Sequence, residues 1–178
     1  MPTEISGSTG VNKIQDNTIV NADINSSAAI AGSKLVMPTG SVLQVVENVY
    51  STAVQSGTQS MVDTGLTATI TPSSTSSKIL VMVNQPLTVS TDTSTSRDIA
   101  FSICRGSTEI TAGTGDAKAD SGTTHRYPAY NSLKKLDSPN TTSAVTYKTR
   151  FKVNAGSCDV FAQQHGGSST MILMEIAG

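Results

Sequence analysis

Charged side chains are scarce in this chain of 178 residues, where Asp, Glu, Lys and Arg make up 14%, against about a quarter in an average globular domain. The formal net charge is −1, so no general attraction to nucleic acid or to an anionic membrane is expected. There is no Trp, and aromatic residues make up only 4%. The core is therefore expected to consist mainly of Val, Ile, Leu and Met.

Signals for secretion and for membrane insertion are also missing. The first residues, MPTEI, lack the basic and apolar regions of a signal peptide, and no apolar run reaches the length of a transmembrane helix. The two cysteines, Cys104 and Cys158, either pair with each other or remain thiols. For a protein made in a cytoplasm, two buried free thiols are the expected state.

Motifs for catalysis or for metal binding are absent from the sequence. There is no GxSxG, no Gly-rich phosphate loop, no CxxC and no HExxH. His125 and His165 are predicted to be ordinary loop residues rather than zinc ligands. Asp116 and Asp120 lie in a Gly-rich segment that would suit calcium, but Lys118 lies between them and a solvated loop is favoured. We therefore expect no enzyme activity, no metal and no cofactor.

The N-terminal residues 1–40 carry an unusual apolar pattern. Anchors recur at Ile14, Ile19, Ile24, Ile30 and Leu35 among Asn, Asp, Ser, Ala and Gly. This spacing fits neither the 3.6-residue period of a helix nor the two-residue period of a strand. One copy of such a segment buries too little apolar surface to offset its ordering entropy. The pattern predicts an extended stem, joined to the rest of the chain, whose anchors contact each other across several copies of the chain.

Residues 41–178 read as a β-rich head, because short apolar or alternating runs are separated by turn residues and no stretch has a helical period. About eight strands over this length indicate an all-β sandwich, of jelly-roll or Greek-key type. The predicted strands are residues 41–50, 59–71, 78–84, 87–90, 98–104, 142–154, 158–163 and 170–177.

The last predicted strand is apolar on both faces. Ile172, Met174 and Ile176 share one face, whereas Met171 and Leu173 share the other. A strand in an isolated two-layer sandwich should turn one face to water, so a second apolar face indicates a subunit interface. Met171 and Leu173 are predicted to lie in that interface.

The segment from His125 to Tyr130 (HRYPAY) is the main candidate for recognition and is interpreted as a loop. It places Tyr127 and Tyr130 beside His125 and Arg126, and tyrosine and arginine are favoured in recognition hot spots. Arg97, in a neighbouring predicted loop, is the fifth candidate for contact with a receptor. An equally weighted alternative is that one tyrosine covers the core and the other packs against a neighbouring subunit.

A basic row lies on one face of the predicted strand at residues 142–154. Lys148, Arg150 and Lys152 alternate there with apolar residues. Such a row would suit an acidic glycan, but the solvated face of an amphipathic strand is the favoured interpretation.

Three segments resemble tail-fibre and other appendage proteins of tailed bacteriophages. Residues 17–35 (NTIVNADINSSAAIAGSKL) resemble their stems, and residues 65–80 (GLTATITPSSTSSKIL) and 169–178 (STMILMEIAG) resemble the early and closing strands of their heads. The resemblance implies a homotrimeric fibre whose N-terminal stem, residues 1–40, attaches to other virion proteins and whose C-terminal jelly-roll head contacts the host surface. It identifies no binding residues, and the stem of about forty residues is shorter than a typical fibre shaft.

The function predicted from these observations is that of a virion structural protein made in the host cytoplasm. It would act as a short tail fibre whose trimeric head binds a host polysaccharide or surface protein. The first alternative is a capsid decoration, head fibre or baseplate component without receptor binding. A glycan-degrading tailspike and a cellular trimeric lectin of the tumour-necrosis-factor or C1q shape are the others.

Overall fold

The computed structural model describes Ser27 and residues 35–91, 97–117, 125–155 and 158–178. At strand ends that border the gaps, only the backbone is described. The chain divides into two units, Met1–Val36 and Met37–Gly178. Leu35 is described and is 51% exposed. The other stem anchors lie outside the described residues, so their place in an interface stays a prediction; they are Ile14, Ile19, Ile24 and Ile30.

The described part of the second unit consists of strands, their connections and one short 3₁₀ turn at Gln164–Gly166. It contains no helix of the length and hydropathy needed to span a membrane. The strands are β1 Val42–Tyr50, β2 Val54–Ser56, β3 Val62–Ile70, β4 Lys78–Thr91, β5 Arg97–Arg105, β6 Thr108–Ala117, β7 His125–Asp137, β8 Val145–Ala155, β9 Asp159–Ala162 and β10 Ser169–Ile176.

The strands form two antiparallel sheets. The larger has the order β1-β10-β4-β9-β2 with β7 on the other side of β4, and the smaller has the order β3-β8-β5-β6. Because β10 and β9 pair with successive parts of β4, they act as one interrupted strand, and β1 and β2 beside them act as another. Counted along the chain, with β1 and β2 together as the first strand and β9 and β10 together as the eighth, there are eight strands. Their order is 1-8-3-6 in the larger sheet and 2-7-4-5 in the smaller sheet. This order is a jelly roll, which confirms the predicted fold class.

The core lies between the two sheets and is built from alternating side chains. In β8, Val145, Tyr147, Phe151 and Val153 are buried, as the alternation predicts. Cys104 is buried as a free thiol. Both sheets contribute to one continuous apolar cluster, so the head folds around a single core.

The predicted separation of residues 78–84 from residues 87–90 is wrong, because β4 runs through both, whereas residues 59–71 hold a single strand, β3, as predicted. Pro86 lies inside β4, at the point where the neighbouring strand changes from β10 to β9. Its missing N–H is tolerated because neither β10 nor β9 pairs with β4 at that position. Gly65 lies inside β3, where the register with β8 shifts between Asp63 and Thr67. Its φ of 88° and the ring of Tyr50, which occupies the place of a Cβ, both require glycine.

Three strands were not predicted: the short β2, and the longer β6 and β7. β6 contains the Gly-rich segment interpreted as a loop, and β7 contains HRYPAY. Both lie at sheet edges in the described part, where polar residues and proline are tolerated because one side of the backbone has no neighbour. The interpretation of His125–Tyr130 as a loop is therefore wrong.

The prediction that Met171 and Leu173 lie in a subunit interface is also wrong. Both side chains are completely buried in the core of a single chain, at the level of Val83 and Val81 of β4. Because both faces of β10 are apolar, the period of two alone does not tell which face points inward. The outward face carries Ile172, Met174 and Ile176, which are partly exposed.

Asp137 connects the two sheets at one end of the sandwich. It ends β7, and its carboxylate accepts hydrogen bonds from Tyr147 Oη of β8 and from Arg105 Nη1 of β5, each at 2.8 Å. Burial raises the pKa of Tyr147 far above its usual value, and the hydrogen bond to Asp137 adds to the rise. The Tyr147 hydroxyl therefore remains a donor, and the carboxylate joins three strands.

Glu175 is a fully buried carboxylate near the end of β10. It accepts hydrogen bonds from the Ser73 backbone N–H at 2.7 Å and hydroxyl at 2.6 Å, and from Gln44 Nε2 at 2.6 Å. Burial alone would raise its pKa, but the hydrogen bonds from Ser73 and Gln44 outweigh it and lower the pKa to about 2. The ionised group thus holds β10 to β1 and to the β3–β4 connection.

Candidate functional site

The outer face of the larger sheet carries a row of four apolar side chains, one from each of β1, β10, β4 and β7. Backbone pairing aligns Val45 with Met174, Met174 with Leu80, and Leu80 with Leu136. Val45 and Leu136, at the two ends of the row, are 55% and 49% exposed. We call these four residues the apolar row. An exposed apolar surface of this kind is typical of a contact with another molecule.

The next row on the same face has apolar residues in the middle and opposite charges at its ends. Glu47 of β1 aligns with Ile172, Ile172 with Met82, and Met82 with Lys134 of β7. We call these four residues the charged row. Glu47 and Lys134 are exposed and neither forms a salt bridge with any described residue. The face therefore presents a negative edge and a positive edge.

The face becomes polar further along the strands. The third row consists of Val49, Thr170, Asn84 and Ser132. Tyr130 follows on β7 and is 69% exposed. It lies four residues beyond Lys134, or about 13 Å at the rise of a strand. The apolar part and the exposed tyrosine are thus separate regions of one sheet.

The five receptor-contact candidates are only partly brought together. Tyr130 belongs to β7, whereas Arg97 begins β5 in the other sheet. The backbone of His125 pairs with that of Thr91 in β4. The side chains of Arg97, His125, Arg126 and Tyr127 lie outside the described residues. Their contact with a receptor stays a prediction, whereas the side chain of Tyr130 is exposed.

Two members of the basic row on β8 share one carboxylate within the chain. Lys148 Nζ lies 2.7 Å from Asp63 Oδ2, and Arg150 Nε lies 3.1 Å from Asp63 Oδ1. Arg150 also donates to the carbonyl of Met61 at 2.7 Å. The partial exposure of Lys148 and Arg150 agrees with the solvated-face interpretation, and Lys152 forms no salt bridge with a described residue.

Two small clefts lie in the described part of the chain, and one of about 200 Å³ is lined by Asp63, Gly65, Leu66, Thr67 and Lys148. A second cleft, of about 130 Å³, opens between the sheets near the β6–β7 edge, lined by Ile99, Phe101, Gly113, Thr114, Asn131, Ser132 and Leu133. No titratable group lines it. No described group of three or more His, Cys, Asp or Glu is placed to hold a metal ion. The Asp116 side chain and Asp120 lie outside the described residues.

Sequence reasoning missed the apolar and charged rows, although part of the signal was present. Residues 78–84 (KILVMVN) and the last strand are both apolar on two faces, and these strands turn out to be neighbours. Two adjacent strands of this kind place Leu80, Met82, Ile172 and Met174 together on the outer face. The contributions of β1 and β7 require the long-range pairing.

The fold and this face define a jelly-roll β-sandwich with an apolar outer surface. No family model and no curated protein matches the chain. Similar solved structures include T=1 particles derived from infectious bursal virus (14% identity, TM-score 0.37), which cover 85% of this chain and 41% of that chain. The VP2 subviral particle of infectious bursal disease virus gives 12% identity and a TM-score of 0.35, over 85% of this chain and 42% of that one.

This chain thus spans less than half the length of those chains. At such low TM-scores and identities, the similarity carries no argument about function.

Proposed function

We propose that this chain is a structural protein of a tailed-bacteriophage virion, a short tail fibre whose trimeric head binds the host cell surface. The observation that carries the proposal is the apolar row, because one half-exposed apolar band on an otherwise complete sandwich needs a partner. Copies of the chain around one axis would cover it. The resemblance of residues 17–35 and 169–178 to fibre stems and heads supports the virion setting.

Attachment is proposed to involve Tyr130 of each head. An exposed tyrosine offers a rigid aromatic face for a sugar ring and a hydroxyl for hydrogen bonding. One such contact is weak, but three in one trimer, and several trimers on one particle, give strong net attachment through effective concentration. The low charge and the many Ser and Thr residues suit a polar, sugar-rich surface.

Replacing Tyr130 with alanine is expected to weaken host binding at least tenfold, because a hot-spot aromatic contributes more than the 1.4 kcal/mol that a tenfold change represents. The measurement is competition: purified full-length chain is added to virions and susceptible bacteria, and the concentration that halves adsorption is determined. Thr108→Ala, at an exposed position next to the β5–β6 turn, is the control and should compete like the wild type.

Two outcomes would contradict the receptor-binding proposal. In the first, the wild-type chain is present in the virion yet does not compete for adsorption at any concentration. The role would then be structural, as in a capsid decoration or a baseplate component. In the second, Tyr130→Ala competes as well as the wild type, which would remove Tyr130 from the contact.

A further inference from the structure

The two charges of the charged row lie at opposite edges of the outer face. Glu47 and Lys134 lie at the same height along the strands but at opposite edges of a four-strand band, about 14 Å apart at the usual strand separation. The apolar row lies two residues away along each strand, and its ends are Val45 and Leu136. The β1 edge of the face therefore carries a negative charge beside an apolar side chain, and the β7 edge carries a positive charge beside an apolar side chain.

A second copy of the same chain matches this arrangement. A rotation about an axis parallel to the strands leaves the height of each residue unchanged and brings the β1 edge of one copy beside the β7 edge of the next. Glu47 then meets Lys134 of the next copy, and Val45 meets Leu136 of the next copy. A twofold axis perpendicular to the strands would pair like edges, so that Glu47 would meet Glu47 of the next copy or another row. Charge complementarity thus selects both the occupant and the direction of the axis.

We propose that the apolar and charged rows form the subunit interface of the head, with the symmetry axis parallel to the strands and Glu47 paired with Lys134 of the next copy. The inference rests on the self-association in the proposed function and adds to it the face, the axis direction and the ion pair. Met82 and Ile172 are covered at the centre of the band. Tyr130 lies about 13 Å further along β7, beyond both rows.

Charge reversal tests the pairing on the full-length chain. Glu47→Lys and Lys134→Glu each place like charges side by side at every interface. Each variant is expected to raise the protein concentration for half dissociation at least tenfold, measured by light scattering in low salt. The double variant restores opposite charges and is expected to return to within about threefold of the wild type, as for directly interacting residues in a double-mutant cycle.

Controls of the same charge change lie elsewhere on the head. Lys135→Glu is next to Lys134 but on the opposite face of β7, and Glu109→Lys is exposed on β6 of the other sheet. Both should assemble like the wild type. Circular dichroism is used to check whether each variant is folded. For a variant that does not fold, Glu47→Cys with Lys134→Cys replaces it and is expected to give covalent oligomers on oxidation with oxidised glutathione.

The outcomes separate this inference from the proposed function. Single variants that assemble like the wild type, or a double variant that stays dissociated, overturn the Glu47–Lys134 pairing while the oligomer itself stands. An oligomer that forms no intersubunit disulfide in the double cysteine variant does the same. A wild-type chain that is monomeric overturns both the interface and the trimer. Rescue by the double variant, with unaffected controls, supports the inference.

Discussion

Asp137→Ala is expected to lower the free energy of unfolding by about 3 kcal/mol, since it removes a mostly buried carboxylate that accepts hydrogen bonds from a buried hydroxyl and from a guanidinium that is 33% exposed. Arg105 loses its carboxylate, and the Tyr147 hydroxyl, which is completely buried, loses its acceptor. Because Asp137 joins β7 of one sheet to β5 and β8 of the other, the loss acts on the packing of the two sheets.

Urea unfolding of the full-length chain at one fixed concentration measures this effect, because the stability of an oligomer depends on concentration. Tyr147→Phe is the matched comparison. It removes one hydroxyl, keeps the Arg105–Asp137 pair and is expected to cost about 1 kcal/mol. An Asp137→Ala variant as stable as the wild type would show that Asp137 does not hold the sheets together.

Glu175→Gln is expected to lower the free energy of unfolding by about 2 kcal/mol at pH 7, and also to change the response to acid. The pKa of Glu175 is about 2 in the folded chain, whereas the pKa of a glutamate in an unfolded chain is about 4.3. The unfolded state therefore binds more protons in this range. The stabilisation by the ionised group is complete above the unfolded pKa and disappears as the pH falls towards 2.

Unfolding measured from pH 6 to pH 2 tests this expectation. The wild type should lose stability steeply below about pH 4.3, and the Glu175→Gln variant should lose less over the same range. Glu109→Gln, at an exposed position, should keep the steep loss of the wild type. Identical acid profiles for Glu175→Gln and the wild type would contradict the assigned role of Glu175.

The sequence predicts the strands of this fold best where one face of the strand is exposed to solvent and the other is buried. β8 is the clearest case, because its apolar side chains alternate with Lys148, Arg150 and Lys152. β6 and β7 were missed because edge strands tolerate Gly, Pro and charges. The break predicted at Pro86 was wrong because the residues that pair around it, in β9 and β10, come from more than seventy positions later in the chain.

The candidate interface depends even more on long-range register. The apolar pattern of β10 indicates that both faces are covered, but it does not tell which face carries the core. Only the pairing with β1 and β4 places Met174 between Val45 and Leu80 on the outside. The ion pair proposed between copies needs β7 as well, since Lys134 lies at the far edge of the sheet. No local pattern contains that information.

The solution mass of the full-length chain, measured by light scattering, tests the central claim most directly, because self-association underlies the proposed fibre, its interface and its attachment by several weak contacts. The expected mass is about 55 kDa, three times the 18.4 kDa of one chain. A mass of 18.4 kDa at micromolar concentration would contradict the account, since the apolar row would then face water without a second copy to cover it.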